Sequence, residues 1–336
     1  MPDKINWAVL GNAMIARKCV IPAIQKSRNG RVRVLATRSP AAAEQVVSDN
    51  RIPQVVDAYE NILDDPQVDA VYIPLPNHLH LPWTLQALSA GKHVLCEKPL
   101  ACNAVEAGKM AAAAGECGLT LMEAFMYRFH PRSQRIKRIV DDGGIGKPCM
   151  VRSAFCYHMA DEILKTGENI RLKIESGGGA ILDVGCYSVS VARWMMGTEP
   201  VQVQAQAAYH PKGVDIHMVG TLRFPGEQLA TMEASFISAL QQTFSVVGSN
   251  GAIELPHDAF IPWEKDAAFM VREKDQEVGR RQVIPGADEY QLMVEYFGDV
   301  VLGKVKPLYG PEESVANMRV LDALAKAARS GKTIDL

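Results

Sequence analysis

No stretch of this 336-residue sequence is long and apolar enough to span a bilayer, because the longest candidates, residues 110–114 and 119–126, are broken by Gly, Glu or Cys. A soluble protein is expected, with no membrane partner. There is no basic block or stripe either: the formal charge is −2 and both signs are mixed along the chain, which gives nucleic acid or an anionic surface nothing to bind. The start, Met1-Pro2-Asp3-Lys4-Ile5-Asn6-Trp7, carries neither an apolar leader segment nor a twin-arginine pair. Seven cysteines (Cys19, Cys96, Cys102, Cys117, Cys149, Cys156, Cys186) form no Cys-x-x-Cys pair, which excludes a zinc knuckle and argues against a disulfide framework. A cytoplasmic location with reduced thiols follows as the expectation.

What is present is an alternation of periods. From residue 5 to about 125, short apolar runs at 6–10, 32–36, 70–73, 93–96 and 120–123 alternate with amphipathic segments at 15–26, 40–48, 83–90 and 103–117. That is the pattern of βαβ units feeding a parallel sheet. Ser39-Pro40 predicts a helix start, with serine as N-cap and proline at the first helical position. After Gly143-Gly144-Ile145-Gly146-Lys147-Pro148 the texture becomes strand-like, at 150–157, 201–209, 216–223, 228–236, 243–247 and 252–255. A helix at 180–196 interrupts these runs, and helices at 290–301 and 312–328 follow. The fold class read from this is α/β: an N-terminal doubly wound Rossmann sheet over 1–125, then a C-terminal α/β domain over 126–310 built on a large, mainly antiparallel open sheet. The last helix, about 311–330, is expected to return to the first domain.

The first strand runs into Gly11-Asn12-Ala13-Met14-Ile15-Ala16, a Gly-x-Ala-x-x-Ala form of the dinucleotide fingerprint. The free amides and dipole of the following helix start can receive a diphosphate. An NAD site usually has a carboxylate at the end of the second strand. Here stand Thr37-Arg38-Ser39, a guanidinium between two hydroxyls, which suits a 2′-phosphate and predicts NADP.

Asp183 and Tyr187 stand four apart in the predicted helix, on one face and one turn apart, a usable acid/base pair. A free phenol titrates near 10, so it needs a nearby cation, and Lys98 at the carboxyl end of a parallel strand can supply one. His78-x-His80 would suit a metal only with a further ligand, and no obvious third one follows, so no metal is expected.

Three further stretches, Ile73-Pro74-Leu75-Pro76-Asn77-His78-Leu79-His80, Ala90-Gly91-Lys92-His93-Val94-Leu95-Cys96-Glu97-Lys98-Pro99 and the loop at Gly11, resemble the Gfo/Idh/MocA family of sugar oxidoreductases. Glu123-Ala124-Phe125-Met126-Tyr127-Arg128-Phe129-His130-Pro131, Asn169-Ile170-Arg171-Leu172 and Gly177-Gly178-Gly179-Ala180-Ile181-Leu182-Asp183-Val184-Gly185-Cys186-Tyr187 are similar to one branch of it. That branch contains NADP-dependent D-xylose dehydrogenases and dimeric dihydrodiol dehydrogenases. Most of the family has His where this branch has Tyr. The resemblance implies that Lys98 orients nicotinamide and substrate hydroxyl, that Asp183 polarises the proton path, and that Tyr187 exchanges the proton. It also implies that Leu75, Pro76, Asn77, His80, Glu97, Glu123, Arg171 and Tyr290 line the cofactor, and it makes Lys98-Pro99 a candidate cis peptide.

The expected function is an NADP-dependent oxidoreductase moving a hydride between nicotinamide and a carbinol or carbonyl of a sugar-like substrate, of the aldose 1-dehydrogenase type. Two alternatives stay open: a ketoreductase for a nucleotide-linked sugar or 1,5-anhydrofructose, and a non-catalytic NADP-binding regulator. Val219 and Leu229 fall on the opposite strand parity to Met218, Leu222, Met232 and Phe236, which together with the resemblance predicts a homo-oligomer, a dimer or dimer of dimers, joined through the outer sheet face.

Overall fold

The computed structural model describes residues 4–336; Met1–Asp3, the first residues of the segment read as lacking a leader, lie outside the described residues. The chain forms two compact units, one holding residues up to Phe129 with Asp288–Val315, the other His130–Ala287 with Ala316–Leu336.

In the first unit, β1 (Ile5–Leu10), β2 (Gly30–Ala36), β3 (Gln54–Val56), β4 (Ala70–Ile73), β5 (His93–Cys96) and β6 (Leu121–Glu123) form a parallel sheet in the order β3-β2-β1-β4-β5-β6. A parallel sheet covered by helices on both faces buries its central strands completely. Ala8 to Leu10 in β1 and all of β4 are accordingly apolar and inaccessible. The order reverses between β1 and β4, and the crevice beyond the strand ends at such a reversal is where doubly wound sheets bind nucleotides.

The unit boundaries correct the expected domains. Helix Glu289–Val301, placed by sequence in the second domain, belongs to the first unit because Phe297 stacks on the buried Trp7 ring of β1 at 4.8 Å and Glu295 pairs with Arg28 at 3.2 Å. The last helix, Pro311–Ser330, was expected to return to the first domain, yet from Ala316 onward it groups with the second unit. There Asn317 accepts from Arg193 at 3.2 Å, and Leu324 fills the space beside Gly220, where an added Cβ would lie 2.7 Å from its methyl.

The second unit is built on β7 (Pro148–His158), β8 (Gln202–Tyr209), β9 (Asp215–Arg223), β10 (Leu229–Ser235), β11 (Ile237–Gly248), β12 (Gly251–Leu255), β13 (Ala267–Glu273), β14 (Arg280–Ile284) and β15 (Ile334–Asp335). Their order is β14-β13-β12-β11-β7-β10-β9-β8-β15, antiparallel except where β10 runs parallel to β7. Helix Cys186–Met196 packs on β7 and β10, burying its residues almost without exception.

Sequence periodicity missed β3, β13, β14, β15, the short helices Glu60–Leu63 and Asp161–Thr166, and helix Pro131–Asp141. The last of these carried readable signals, proline at its first position and buried Ile136 and Val140 one turn apart. Ser39 also departs from expectation: its side chain makes no capping bond, and a tight turn, Pro40–Ala43, precedes helix Glu44–Asn50.

Candidate active site

In the first unit the fingerprint residues lie at the sheet crevice. Gly11 follows β1 with φ +103, and its amide donates to Ala36 at 2.7 Å, which ties the loop to the end of β2. A Cβ at Gly11 would lie 3.0 Å from the Leu75 methyl, so the loops after β1 and β4 touch and only glycine fits. The Asn12 side-chain Nδ2 donates to the Ala42 carbonyl oxygen at 2.9 Å. The helical turn begins at Met14 and Ile15, with Met14 exposed, and Ala16 is fully buried, as the close-packing position of the motif requires. Ala13 is half-exposed at the position where backbone must approach a diphosphate. Residues Ala16–Val20 are wound wide, with i→i+5 bonds, before regular helix resumes at Ile21–Lys26.

After β2, Thr37 is buried with its amide bonded to Val56 at 2.9 Å, while Arg38 and Ser39 are exposed. Arg38 therefore presents its guanidinium outward with no carboxylate beside it in sequence. These residues fit a phosphorylated dinucleotide: a glycine cradle, a helix start with accessible amides, and a cation where a ribose carboxylate partner would otherwise stand.

The turn carrying Lys98 is fastened from several strands. The Tyr72 hydroxyl on β4 donates to Glu97 at 2.6 Å. His80, fully buried, has Nδ1 2.9 Å from the Pro99 carbonyl oxygen and Nε2 2.8 Å from that of Leu75. The Leu100 amide donates to Glu123 of β6 at 2.8 Å. The Lys98–Pro99 bond is cis, which answers the question left by the sequence.

His80 and Glu123, two residues expected to line the cofactor, brace the loop that carries Lys98. Both nitrogens of His80 are engaged by backbone carbonyls, and burial lowers its pKa, so the ring braces the loop. Glu123 is 6% exposed, and burial pushes its carboxyl up to about 7, so it braces the Lys98 turn from within. Pro76 and Asn77 begin the turn ahead of helix His80–Ser89. Tyr290 is nearly buried and shares a side-chain hydrogen bond with Cys19; burial raises the phenol's pKa.

Arg171, Asp183 and Tyr187 lie in the second unit. Arg171 was expected at the cofactor; the structure places its Nε 2.8 Å from Asp183 Oδ2, and that carboxylate holds the guanidinium charged. Asp183 sits in a wide turn, Ile181–Gly185, ahead of the helix bearing Tyr187, so the regular α-helical spacing assumed from sequence does not hold there. The pair is brought together by β7 instead. Phe155 and Tyr157, two apart, share one strand face. The Phe155 ring meets Tyr187 at 5.3 Å, and the Tyr157 hydroxyl donates to Asp183 Oδ2 at 3.0 Å. Phe260, stacked on Phe155, packs on Tyr187 from a second side at 5.3 Å. The phenol ring is thereby fixed while Asp183 is held next along the same strand.

Sequence reading missed Tyr157, and it missed Asp215. From β9, Asp215 accepts from the Ile181 amide at 2.7 Å, capping the turn that carries Asp183. Gly179, at φ +118, leaves room for it: a Cβ there would lie 2.3 Å from Asp215 Oδ1. The last glycine of the run seen in sequence is explained by this approach. Burial pushes the Asp215 carboxyl up to about 6. Among the described residues no group of three or more His, Cys, Asp or Glu side chains is arranged to hold a metal, and no helix is long and apolar enough to cross a membrane.

Residues 5–125 match the oxidoreductase family with NAD-binding Rossmann fold named Gfo/Idh/MocA, and residues 133–254 match the Gfo/Idh/MocA C-terminal domain. The chain is 36% identical to the D-xylose 1-dehydrogenase (NADP(+)) 2 of Haloferax volcanii, over 98% of this chain and 99% of that protein. It is 30% identical to a trans-1,2-dihydrobenzene-1,2-diol dehydrogenase of Xenopus tropicalis, over 75% of this chain and 74% of that one. Among solved structures, the aldose-aldose oxidoreductase of Caulobacter crescentus superposes with a TM-score of 0.88 at 27% identity, covering 99% of this chain and 100% of that one. A 3-ketoreductase of Actinomadura kijaniata, solved with NADP and TDP-benzene, gives 0.88 at 28% identity over 96% and 98%. With both family domains matched and a full-length relative of this similarity, the chain belongs to the Gfo/Idh/MocA oxidoreductase family.

Proposed function

We propose that this protein is an NADP-dependent oxidoreductase of the aldose 1-dehydrogenase type, acting between a carbinol and a carbonyl of a sugar. The observation that carries the reading is the Tyr187 phenol, packed against the stacked pair Phe155 and Phe260, with Asp183 held by Tyr157 two residues along the same strand face. The dinucleotide, when bound, takes up or returns the hydride. Gly11, Asn12, Ala13, Met14 and Ile15 hold its diphosphate, and Thr37, Arg38 and Ser39 its 2′-phosphate. Leu75, Pro76, Asn77, Glu97 and Tyr290 shape the remaining wall. Tyr187 takes the proton from the substrate hydroxyl during oxidation and gives it back during reduction. Asp183 polarises that proton path, and Lys98 supplies the positive charge that brings a phenol into the neutral range. The test is NADP+ reduction by aldoses, inositols, dihydrodiols and anhydrosugars, beside the reverse reaction with keto-sugars. Turnover confined to a nucleotide-linked keto-sugar would favour a second reading, which rests on 30% identity over 97% of this chain to a dTDP-sugar 3-reductase of Actinomadura kijaniata.

Arg38→Ala is expected to cost about tenfold to a hundredfold in NADP+ affinity with little effect on NAD+, since a charge-assisted phosphate contact contributes about 1.5 to 3 kcal/mol. Comparative kcat/KM values for the two cofactors check this, and equal efficiency in the unmutated protein would refute the assignment.

The seven cysteines form no disulfide among the described residues, and we assign a cytosolic location. The outer face of the nine-stranded sheet exposes Val219 and Leu229 by about two-fifths, and through it we assign a homo-oligomer, a dimer or dimer of dimers. Light scattering at micromolar concentration should give at least twice the monomer mass; a monomer there removes the assignment.

A further inference from the structure

We propose that Tyr157 is a positioning residue of the reaction, which sets the orientation of the Asp183 carboxylate through the hydrogen bond from its hydroxyl to Oδ2. The inference rests on the reading of Asp183 as part of the proton path. Three separate segments meet at that one oxygen: the end of β7 through Tyr157 at 3.0 Å, the turn Ile170–Leu172 through Arg171 at 2.8 Å, and the wide turn Ile181–Gly185 that carries Asp183 itself. The terminal torsion of an aspartate is broad and nearly two-fold, so its carboxylate is oriented by its donors and not by its own rotamer preference. Arg171 brings charge from a side chain that is 40% exposed on a long stem. Tyr157 brings direction, because its ring is packed on the buried Phe236 at 5.3 Å and its two-torsion side chain leaves the strand end rigidly. Burial, and then the charge of Asp183, push the phenol's pKa up, so it keeps its proton and stays a donor across the neutral range. Such a phenol does not compete with Tyr187 as proton acceptor. Its contribution is geometric, and small displacements of a reacting group are costly to rate.

The experiment is a double-mutant cycle of Tyr157→Phe and Asp183→Asn, read as kcat and KM for sugar oxidation at saturating NADP+, with thermal melting and NADPH titration alongside. Tyr157→Phe keeps the ring on Phe236, so melting and NADPH affinity should hold. Alone it is expected to lower kcat by about tenfold with KM changed by less than about threefold. Added to Asp183→Asn it should cost less than about twofold more, because its target carboxylate is gone. Equal losses in both backgrounds, or no loss in the parent, would overturn the proposal. Failure of the wider reading looks different: Tyr187→Phe would then turn over normally while the Tyr157–Asp183 cycle stayed coupled. A chain that oxidises no sugar sinks the reaction reading and with it this role of Tyr157, an outcome distinct from equal losses in both backgrounds, which removes the role of Tyr157 alone.

Discussion

In a Tyr187→Phe variant the chemical step is expected to fall by about a hundredfold to ten-thousandfold, the usual contribution of positioned general acid-base catalysis, while NADPH binding is unchanged. Only the phenolic oxygen is lost. The ring stays packed against Phe155 and Phe260, and the Gly11 loop belongs to the other unit. Lys98→Met should cost at least a similar factor, because a phenol without a cation nearby titrates near 10 and is a poor proton carrier at neutral pH. If the two act as one device, the double variant will be hardly slower than the worse single one. Single-turnover hydride transfer at saturating NADP+ separates this from slow product release. Turnover of Tyr187→Phe within a few-fold of the parent would make the tyrosine structural and send the proton through Asp183 or water.

Glu123→Gln should make the protein more stable at pH 8 and leave it nearly unchanged at pH 5. The Glu123 carboxyl is pushed from 4.5 up to about 7, first by burial, with the charge of Glu313 adding and Arg128 opposing. A carboxyl with a raised pKa binds its proton more tightly in the folded state than in the unfolded chain. The stability it contributes is therefore complete below about 4.5 and is lost as pH rises through about 7. Full ionisation costs on the order of 3 kcal/mol, which glutamine avoids while still accepting from the Leu100 amide. Denaturant melts at the two pH values measure the difference. A parent and variant whose gap does not change with pH would show that Glu123 is ionised at no cost.

Glu123 also shows where sequence reading stopped. The strand that carries it was legible because β4, β5 and β6 are largely buried and read as short, mostly apolar runs. Strands β13 and β14 were not, because they are half-exposed and carry Arg272, Glu273, Arg280 and Arg281, which look like a solvated loop. The fingerprint at Gly11 and the missing carboxylate at Arg38 are local features and could be read directly. The bracing of Lys98 could not, since Tyr72, His80 and Glu123 reach it across 19 to 25 residues of sequence. The pairing of Arg171 with Asp183 could not be read either, because it is made by the turns between them. Asp183 and Tyr187 were paired by an assumed regular helix; the wide turn breaks that regularity, and the shared face of β7 holds them together instead. Tyr157 and Asp215 carry no sequence signal of their own. An isolated tyrosine and an isolated aspartate in strands gain meaning only from what the fold places opposite them.

The most direct test of the central claim is a single turnover with D-xylose deuterated at C1, mixed with excess protein and NADP+. The account predicts that the deuterium is recovered in the reduced nicotinamide ring and that its transfer is slower than that of hydrogen from unlabelled sugar. Tight NADPH binding with no nicotinamide reduction by this or any other aldose, inositol, dihydrodiol or anhydrosugar would contradict it.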